Sequence, residues 1–338
     1  MEKGTKKLYI NIEAKQMTTK KPRDYRKEYD NYQGKPEQVK NRTARNKGRS
    51  IMEKAGKVSK GDGKHVNHVV PLSQGGSADA KNLSVKKRPE LVTDKIKNCK
   101  KVGQEGELVE LAVKWGFEEA SVLAELGAKD VPSPMLRDYA WTGKLTPFEH
   151  QKDTAYFLSL YKKAFCFNEA GTGKTASVIW AVDYLMKLGV IKRVLIVCPL
   201  SIMKSAWQED LFKFAMHRSC SVAHGPATTR EKIINAGSEF VVINFDGVGV
   251  VKDTILKAGF DLIVVDEANA YKNSQTNRWK IMRDLCKTID RLWMLTGTPA
   301  AQSPLDAYGL AKLVSPHRVP KYYTPYRDSV MYKASQYV

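Results

Sequence analysis

The segment EAGTGKT, at 169–175, combines residue types that suit the binding of a triphosphate. Gly171 and Gly173 let the backbone curl so that its N–H groups face phosphate oxygens. We predict that Lys174 reaches the β and γ phosphates and that the Thr175 hydroxyl binds Mg²⁺. The segment is therefore a candidate phosphate-binding loop that opens onto a helix.

This loop is shorter than the full phosphate-loop pattern, GxxxxGK[ST]. The full pattern requires glycine at the position of Asn168, so only the Gly-x-Gly-Lys-Thr core is present, with Thr172 between its two glycines. We predict that Thr172 also contacts the nucleotide. A core of this length is weak evidence alone, so the hypothesis depends on the rest of the chain.

An acidic pair follows an apolar run further along the chain. The run FDLIVVDE, at 260–267, ends in Asp266 and Glu267. Because the carboxyl ends of parallel strands meet at one edge of a sheet, such a pair is placed to face a bound triphosphate. We predict that Asp266 binds Mg²⁺, directly or through water, and that Glu267 polarises the attacking water.

Two other segments carry side chains that suit the same site. Thr296 and Thr298 lie on the tight turn LTGTP, from which they can hydrogen-bond the acidic pair. In the upstream segment LTPFEHQ, the amide of Gln151 can contact the adenine edge, and Phe148 can stack on the base. We predict that these four residues complete the nucleotide site.

Short apolar runs around these segments predict buried parallel strands. They are RVLIVCPL at 193–200, EFVVIN at 239–244, FDLIVVDE at 260–267 and RLWMLTG at 291–297. Helical stretches separate the runs, so we predict an α/β fold, with helices on both faces of a parallel sheet.

The net charge of +20 is concentrated in the N-terminal part of the chain. Residues 1–100 hold 26 Lys and Arg against 11 Asp and Glu, which favours a polyanionic partner such as DNA over a solvated basic tail. A predicted helix at 36–55 presents a basic stripe with the three- and four-residue spacing that phosphate contacts require. The cations of this helix are Lys40, Arg42, Arg45, Lys47 and Arg49.

Membrane and secreted classes are disfavoured by the sequence. No apolar run approaches the roughly 20 residues needed to cross a membrane, and no secretion signal is recognised, so a cytoplasmic location is expected. Scattered cysteines without a CxxC pair disfavour a disulfide framework and a thiolate zinc site. They are Cys99, Cys166, Cys198, Cys220 and Cys286.

Taken together, the segments of the nucleotide site resemble the first RecA-like lobe of superfamily 2 helicases, in particular the Swi/Snf-type translocases and their phage relatives. The resemblance covers 132–338. HQ at 150–151 is similar to the adenine motif, GTGKT at 171–175 to motif I, CPLSIMKSAWQED at 198–210 to motif Ia, DEAN at 266–269 to motif II, and LTGTPAAQSPLDAYGL at 295–310 to motif III.

This resemblance implies ATP-driven movement along duplex DNA, with ATP and Mg²⁺ as cofactors and Ser201 of motif Ia on a strand backbone. It implies that Thr296 and Thr298 couple the two sites, although Asn269 stands where His is more usual. In the family a second RecA-like lobe supplies arginine fingers. Residues 313–338 offer no such lobe, so we expect poor hydrolysis alone and a second chain, or the rest of a split gene product, to complete the cleft.

A second constellation lies in the basic part, in HVNHVVPLSQGGSADAKNL. A His after a short strand can act as general base, and an Asn beyond the Gly-rich loop can position it. This pattern resembles the HNH nuclease family, with His68 as the base and Asn82 as the central Asn. Asn67 takes the position of a metal ligand that is usually Asp or His. In the HNH family a further metal ligand, usually His or Asn, closes the pattern. Here that position falls near Leu91, with Glu90 adjacent.

These resemblances predict a modular chain of α/β type, in which a small α+β (ββα-metal-like) domain precedes the RecA-like lobe. The predicted parts are a flexible basic tail at 1–21, an HNH-like module at 22–103, a helical linker at 104–131 and the RecA-like lobe at 132–338. The main hypothesis is a phage-type DNA-processing protein. Two alternatives are a DNA-binding protein with ATP as a ligand only, and a metal-dependent nuclease with a passenger lobe. For the His68 site, cleavage, DNA binding without cleavage and a purely structural role stay open.

Overall fold

A computed structural model of the chain describes most of the C-terminal part and portions of the N-terminal part. The described residues are 7–8, 36–58, 64–68, 77, 79–87, 96, 99–105, 108–113, 115–126, 128, 131–300 and 302–331. The chain divides into two units, Met1–Val131 and Pro132–Val338.

In the first unit, a basic helix packs against a two-stranded antiparallel ribbon. Helix α1, Pro36–Lys54, contacts both β2, Lys64–His68, and β3, Leu83–Lys87. The buried side chains of Met52 and Val58 form the apolar contact beneath it. The helix predicted over 36–55 is confirmed, and the short strand predicted at the His68 constellation is β2.

The first unit also holds a three-stranded antiparallel sheet in the order β1-β5-β4. Its strands are β1, Lys7–Leu8; β4, Cys99–Glu105; and β5, Leu108–Val113. Helix α2, Phe117–Glu125, follows.

These strands correct two predictions. The linker predicted to be helical over 104–131 is a strand in its first part, because the run LVELAV pairs with the preceding strand β4. Apolar runs of this length fit a helix or a strand equally well, and backbone pairing with a neighbour decides between them. The tail predicted to be flexible contains β1, whose two residues pair with Ala112 and Leu111.

The second unit is built on a six-stranded parallel sheet in the order β6-β11-β10-β7-β9-β8. The strands are β6, Lys163–Cys166; β7, Val194–Cys198; β8, Cys220–Ala223; β9, Phe240–Asn244; β10, Leu262–Val265; and β11, Arg291–Leu295. The four predicted strands are confirmed as β7, β9, β10 and β11. The two others, β6 and β8, lie at the edges of the sheet and were not predicted.

Helices cover both faces of this sheet, which confirms the predicted α/β RecA-like class for the second unit. They are α3, Met135–Asp138; α4, Glu149–Leu160; α5, Lys174–Lys187; α6, Glu209–Phe214; α7, Ala227–Asn235; α8, Phe245–Val250; α9, Lys252–Lys257; α10, Asn277–Thr288; α11, Ala307–Val314; and α12, Tyr323–Val330. Within the described ranges, no helix is long and apolar enough to span a bilayer.

The strand order brings the segments of the predicted site to one edge of the sheet. Strand β10 lies between β11 and β7, with Val265 beside Met294 and Val197. Strand β6 pairs with the other side of β11, where Cys166 lies beside Leu295. Since all these strands are parallel, the loops that follow them begin side by side.

Helix α5, which begins at the phosphate loop, is fixed to the rest of the unit by a buried carboxylate. Asp183 accepts hydrogen bonds from the Tyr139 hydroxyl at 2.7 Å, His217 Nε2 at 2.8 Å and Arg218 Nε at 2.7 Å, and it pairs with Lys187 at 3.0 Å. Burial alone would raise the pKa of Asp183, but these partners lower it to about 2. The carboxylate therefore remains charged inside the fold.

Candidate functional site

The loop between β6 and α5 has the backbone conformation of an anion cradle. Gly171 and Gly173 are both left-handed, with φ of 78° and 77°. A Cβ at Gly171 would meet nothing within 4 Å, whereas a Cβ at Gly173 would collide with the side-chain amide of Gln151. The first N–H groups of the helix that follows have no intrahelical acceptor, so they are available to an anion.

The predicted cation of this loop lies inside the curve of the backbone. Lys174 Nζ donates to the carbonyl oxygens of Asn168 and Glu169, at 2.9 Å and 2.8 Å. The Thr172 hydroxyl also donates to the Glu169 carbonyl, at 2.8 Å. Thr175 follows on the first turn of α5 and is half-buried. Carbonyl groups leave the ammonium charge uncompensated, so the loop attracts anions.

The start of α4 is attached to the same loop. Gln151 Nε2 donates to the Thr172 carbonyl at 3.2 Å, and Gln151 Oε1 accepts from the Phe148 N–H at 3.0 Å. The Phe148 ring is 67% exposed and lies parallel to the His150 ring, 5.7 Å away. Both residues predicted for the adenine therefore lie beside the phosphate loop, and their contact with a base stays a prediction.

The acidic turn after β10 places one carboxylate inside the fold. Asp266 is 8% exposed; its Oδ2 accepts from Trp207 Nε1 and its Oδ1 from the Glu267 N–H, both at 3.0 Å. Burial raises the pKa of Asp266, while these two donors and the positive charge of Lys174 act in the opposite direction. The strand order places the loops that carry Lys174 and Asp266 at the same edge of the sheet, so the two charges belong to one site.

The second acidic residue is held in a strained backbone conformation. Glu267 has φ 52° and ψ 55°, and it is the only non-glycine with positive φ in the described part of the chain. For a residue with a Cβ this conformation costs about 1 kcal/mol or more. The side chain is exposed, so packing does not explain the strain, and strain of this kind concentrates at functional sites.

The segment after β11 contacts both of these turns. Asn269 Nδ2 donates to Thr298 Oγ1 at 2.9 Å, and the Thr298 N–H donates to Thr296 Oγ1 at 3.1 Å. A Cβ on Gly297 would lie 3.4 Å from the backbone nitrogen of Ala170 in the phosphate loop. The Thr298 side chain bonds Asn269 rather than the acidic pair itself, which corrects the predicted contact.

Oxygen donors at the site fit Mg²⁺. The Thr175 hydroxyl and the Asp266 carboxylate are hard ligands, and Mg²⁺ is usually held by one or two such groups together with water and substrate phosphates. Across the described residues, no group of three or more His, Cys, Asp or Glu side chains is arranged to hold a metal ion. The donor set therefore suits a metal that is carried by a phosphate ligand.

Two features near the site were not predicted from the sequence. Trp207 was not singled out, although it lies in the segment similar to motif Ia, because no spacing rule indicates that its indole turns towards Asp266. The contact of Asn269 with Thr298 is likewise not indicated by the sequence. Ser201, predicted to contact DNA, is exposed on the 3₁₀ turn Leu200–Ile202 that follows β7.

In the first unit, the backbone brings the predicted His and Asn near each other. His68 ends β2 and pairs with Leu83, and Asn82 immediately precedes Leu83 on a 3₁₀ turn. Asn67 lies one residue before His68 on the same strand. The positions predicted for the closing ligand, 90–91, lie outside the described residues.

The predicted basic stripe lies on α1. Lys47 is exposed, whereas Arg49 forms an ion pair with Glu53 at 3.0 Å. Arg42 and Arg45 belong to the same helix, and their side chains lie outside the described part of the structure. The pair with Glu53 reduces the net charge that Arg49 offers to a phosphate.

Comparison with known proteins identifies the second unit. Residues 150–329 match the family described as SNF2-related domain. The chain belongs to the SNF2-related domain family. This match includes the phosphate loop, the acidic turn and the segment after β11.

Relatives of this SNF2-related chain include much longer proteins. It is 28% identical over 209 residues to the SWI/SNF-related matrix-associated actin-dependent regulator of chromatin subfamily A-like protein 1 of Xenopus laevis, covering 61% of this chain and 20% of that protein. It is 28% identical over 187 residues to the uncharacterized ATP-dependent helicase YqhH of Bacillus subtilis, covering 54% and 31%. The chain thus spans less than a third of the length of either relative.

The chain is also similar to a solved structure. The SWI2/SNF2 ATPase core of Sulfolobus solfataricus in complex with dsDNA is 24% identical, with a TM-score of 0.49, over 56% of this chain and 39% of that one.

Proposed function

We propose that the unit Pro132–Val338 is the first, ATP-binding lobe of an SNF2-type DNA translocase or helicase. The observation that carries the proposal is the placement of Lys174, Asp266 and the strained Glu267 at one edge of the parallel sheet. The Lys174 ammonium suits the phosphates of a bound triphosphate, and the buried Asp266 carboxylate suits its Mg²⁺. Glu267 follows Asp266 directly and is exposed to solvent. Such a site performs phosphoryl transfer mainly by positioning and charge stabilisation.

Each residue has a proposed role in this reaction. Thr175 and Asp266 hold Mg²⁺, which neutralises phosphate charge when bound. Lys174 binds the β and γ phosphates with the N–H groups of the glycine turn. Glu267 orients the attacking water and accepts its proton. Gln151 and Phe148 bind the adenine.

Duplex DNA is the proposed partner. The family match and the name of the Bacillus subtilis relative, an ATP-dependent helicase, support a nucleic-acid motor. Ser201 is exposed after β7, and the basic charge of residues 1–100 would add sequence-independent phosphate contacts. We propose that Ser201 and the cations of α1, Arg42, Arg45, Lys47 and Arg49, contact the phosphate backbone.

We also propose that a second RecA-like lobe, on another chain or on the rest of a longer protein, completes this site. Arginine fingers raise turnover about 10³- to 10⁵-fold in related phosphoryl-transfer systems. Without this second lobe, the unit Pro132–Val338 would therefore bind ATP and hydrolyse it slowly. The alternative is that ATP is only a ligand.

DNA-stimulated ATP hydrolysis tests the motor against this alternative. We expect the wild-type chain to hydrolyse ATP slowly, faster with duplex DNA, and we expect Lys174→Ala and Glu267→Gln to lack the stimulated rate. Glu267→Gln should still bind nucleotide, because its phosphate and metal ligands are intact, whereas Lys174→Ala should bind at least about 100-fold more weakly. If the wild type and Glu267→Gln hydrolyse ATP at equal rates in the presence of duplex DNA, ATP is a ligand only.

The position of His68 relative to Asn82 supports a second candidate function. We propose that the first unit contains an HNH-like module that binds DNA and cleaves it with a divalent metal, with His68 as general base, Asn82 positioning it and Asn67 as a metal ligand. Phage or bacterial DNA processing in the cytoplasm is the proposed setting for both functions. Nicking of plasmid DNA with Mg²⁺ or Mn²⁺, lost in His68→Ala, is the expected result. No nicking by the wild type would reject cleavage and leave DNA binding.

A further inference from the structure

Trp207 joins the segment after β7 to the acidic turn. Its side chain is fully buried, and its Nε1–H donates to Asp266 Oδ2 at 3.0 Å. Within the described part of the chain, the other hydrogen bond to this carboxylate comes from the Glu267 N–H. One backbone donor and one indole donor therefore set the orientation of the carboxylate plane.

The indole is a stiff support for this orientation. A buried Trp has two side-chain torsions, and the packing around Trp207 fixes both, so the direction of the N–H is fixed with them. The Glu267 N–H alone would leave the carboxylate free to turn about its bond to Cβ. Removing the indole donor would also leave Asp266 Oδ2 buried without its partner, which is costly for a charged group.

The segment that carries Trp207 has an uncommon backbone. Residues Met203–Gln208 form a π-helix directly after the 3₁₀ turn Leu200–Ile202. Short π segments are rare and occur often at functional sites. This one buries Met203 and Trp207 while it exposes Lys204, Ser205 and Gln208.

The same few residues thus have an inner and an outer face. The outer face holds Lys204 and Ser205, whose charge and hydroxyl suit a phosphate group, and Ser205 Oγ donates to the Ser201 carbonyl at 3.3 Å. The inner face ends on Asp266. A shift of the segment would move the indole, and the indole would move the carboxylate with it.

We propose that Trp207 is a positioning residue that orients Asp266 towards Mg²⁺ and transmits DNA contact at the outer face of Met203–Gln208 to the metal site. This inference rests on the proposed function, since it assigns a regulator to the same nucleotide site. Substituting a residue that hydrogen-bonds a metal ligand commonly changes metal affinity or activity by about 10- to 100-fold.

The first test measures nucleotide binding by the whole chain as a function of Mg²⁺, with a fluorescent ATP analogue. We expect Trp207→Phe to raise the Mg²⁺ concentration for half-maximal binding by about 10- to 100-fold, while binding in EDTA is unchanged. Trp293→Phe is the matched control, because Trp293 is equally buried and its Nε1–H donates to the Tyr161 carbonyl, away from the acidic turn. It should leave the Mg²⁺ requirement unchanged.

The second arm adds duplex DNA to the same titration. DNA should shift the Mg²⁺ requirement of the wild type and of Trp293→Phe, and it should leave that of Trp207→Phe unmoved. A Trp207→Phe protein that matches the wild type without DNA overturns the positioning role. An equal DNA shift in both proteins overturns the transmission. A wild type that binds no nucleotide at any Mg²⁺ concentration instead rejects the proposed function itself.

If Trp207→Phe does not fold, the wild type provides the measurement. The chain has six tryptophans, and their indole N–H signals can be followed by ¹⁵N NMR with nucleotide present. Replacing Mg²⁺ by paramagnetic Mn²⁺ should broaden one of these signals more than the other five, because the broadening falls steeply with distance and Trp207 is the indole hydrogen-bonded to a proposed metal ligand. Six signals that respond equally would overturn the inference.

Discussion

The two turns that form the candidate site reach the left-handed backbone region in different ways. The phosphate loop uses Gly171 and Gly173, for which φ near 78° carries little cost. The acidic turn places Glu267 at φ 52°, where a side chain is unfavourable. The phosphate loop therefore reaches this conformation with residues that have no side chain. The acidic turn instead retains a strained residue whose carboxylate the proposed reaction requires.

The turns also differ in what supports them. The glycine loop opens α5, which the buried Asp183 ties to Tyr139 and Arg218 on the far side of the helix. The acidic turn is supported from within by Trp207. If this comparison is correct, changes at Asp183 should affect stability without changing the loop, and changes in the turns should affect function first.

The largest expected effect on stability is that of Asp183→Asn. We expect the free energy of unfolding at pH 7 to fall by about 3 kcal/mol, because the substitution removes the buried charge that pairs with Arg218, whose side chain is only 15% exposed. Nucleotide affinity should be unchanged in the folded protein. Urea denaturation and nucleotide titration measure the two quantities, and a loss of affinity would show that the loop depends on this anchor.

The same carboxylate predicts a pH dependence. The pKa of Asp183 is lowered from 3.8 to about 2 on folding, so its stabilisation is present above pH 4 and is lost as the pH falls towards 2. This loss amounts to about 2 kcal/mol. The difference in unfolding free energy between wild type and Asp183→Asn should therefore narrow over that window. A constant difference would contradict the assignment.

Alanine substitutions at Gly171 and Gly173 should separate the cost of a left-handed backbone from the cost of a steric collision. Gly173→Ala combines left-handed strain with a collision against Gln151, so we expect a loss of about 2–3 kcal/mol and of nucleotide binding. Gly171→Ala meets open space and should cost about 1 kcal/mol. Thermal denaturation of the pair measures the difference; equal costs would mean that the contact with Gln151 is unimportant.

The smallest effect has the opposite sign. Glu267→Gly should raise the free energy of unfolding by about 0.5 kcal/mol, because glycine relieves the backbone strain and loses some of that gain to its freer unfolded state. Hydrolysis should be lost. Glu267→Gln, the control that keeps the Cβ, should lose hydrolysis without gaining stability. A destabilised Glu267→Gly protein would refute the claim that strain is retained for function.

How much of this molecule was predictable depended on the length and chemistry of each segment. The central strands were predictable because continuous apolar runs such as LIVV indicate burial on both faces. The edge strands β6 and β8 were not, since KAFC and CSVA are not continuous apolar runs and carry polar residues at half-buried positions. The strand β5 was mistaken for a helix because its apolar run LVELAV fits either element, and only the pairing with β4 decides between them.

The candidate site shows the same division. Gly173, Lys174 and the acidic pair lie in local patterns whose spacing carries the chemistry, so they could be selected from the sequence. The indole of Trp207 donates to a carboxylate fifty-nine positions further along the chain. The amide of Asn269, after β10, donates to Thr298, after the neighbouring strand β11. Contacts of this kind follow from strand order and side-chain packing, which local spacing does not specify.

The approach of Gly297 to the backbone of Ala170 limits which side chains position 297 can hold. A Cβ on Gly297 would lie 3.4 Å from the Ala170 nitrogen and 3.7 Å from the Asn168 carbonyl oxygen, which is ordinary van der Waals contact. A methyl group therefore fits between the two loops, whereas a longer side chain would press on the main chain of the phosphate loop. In a complete substitution scan, position 297 should consequently accept alanine and reject larger residues.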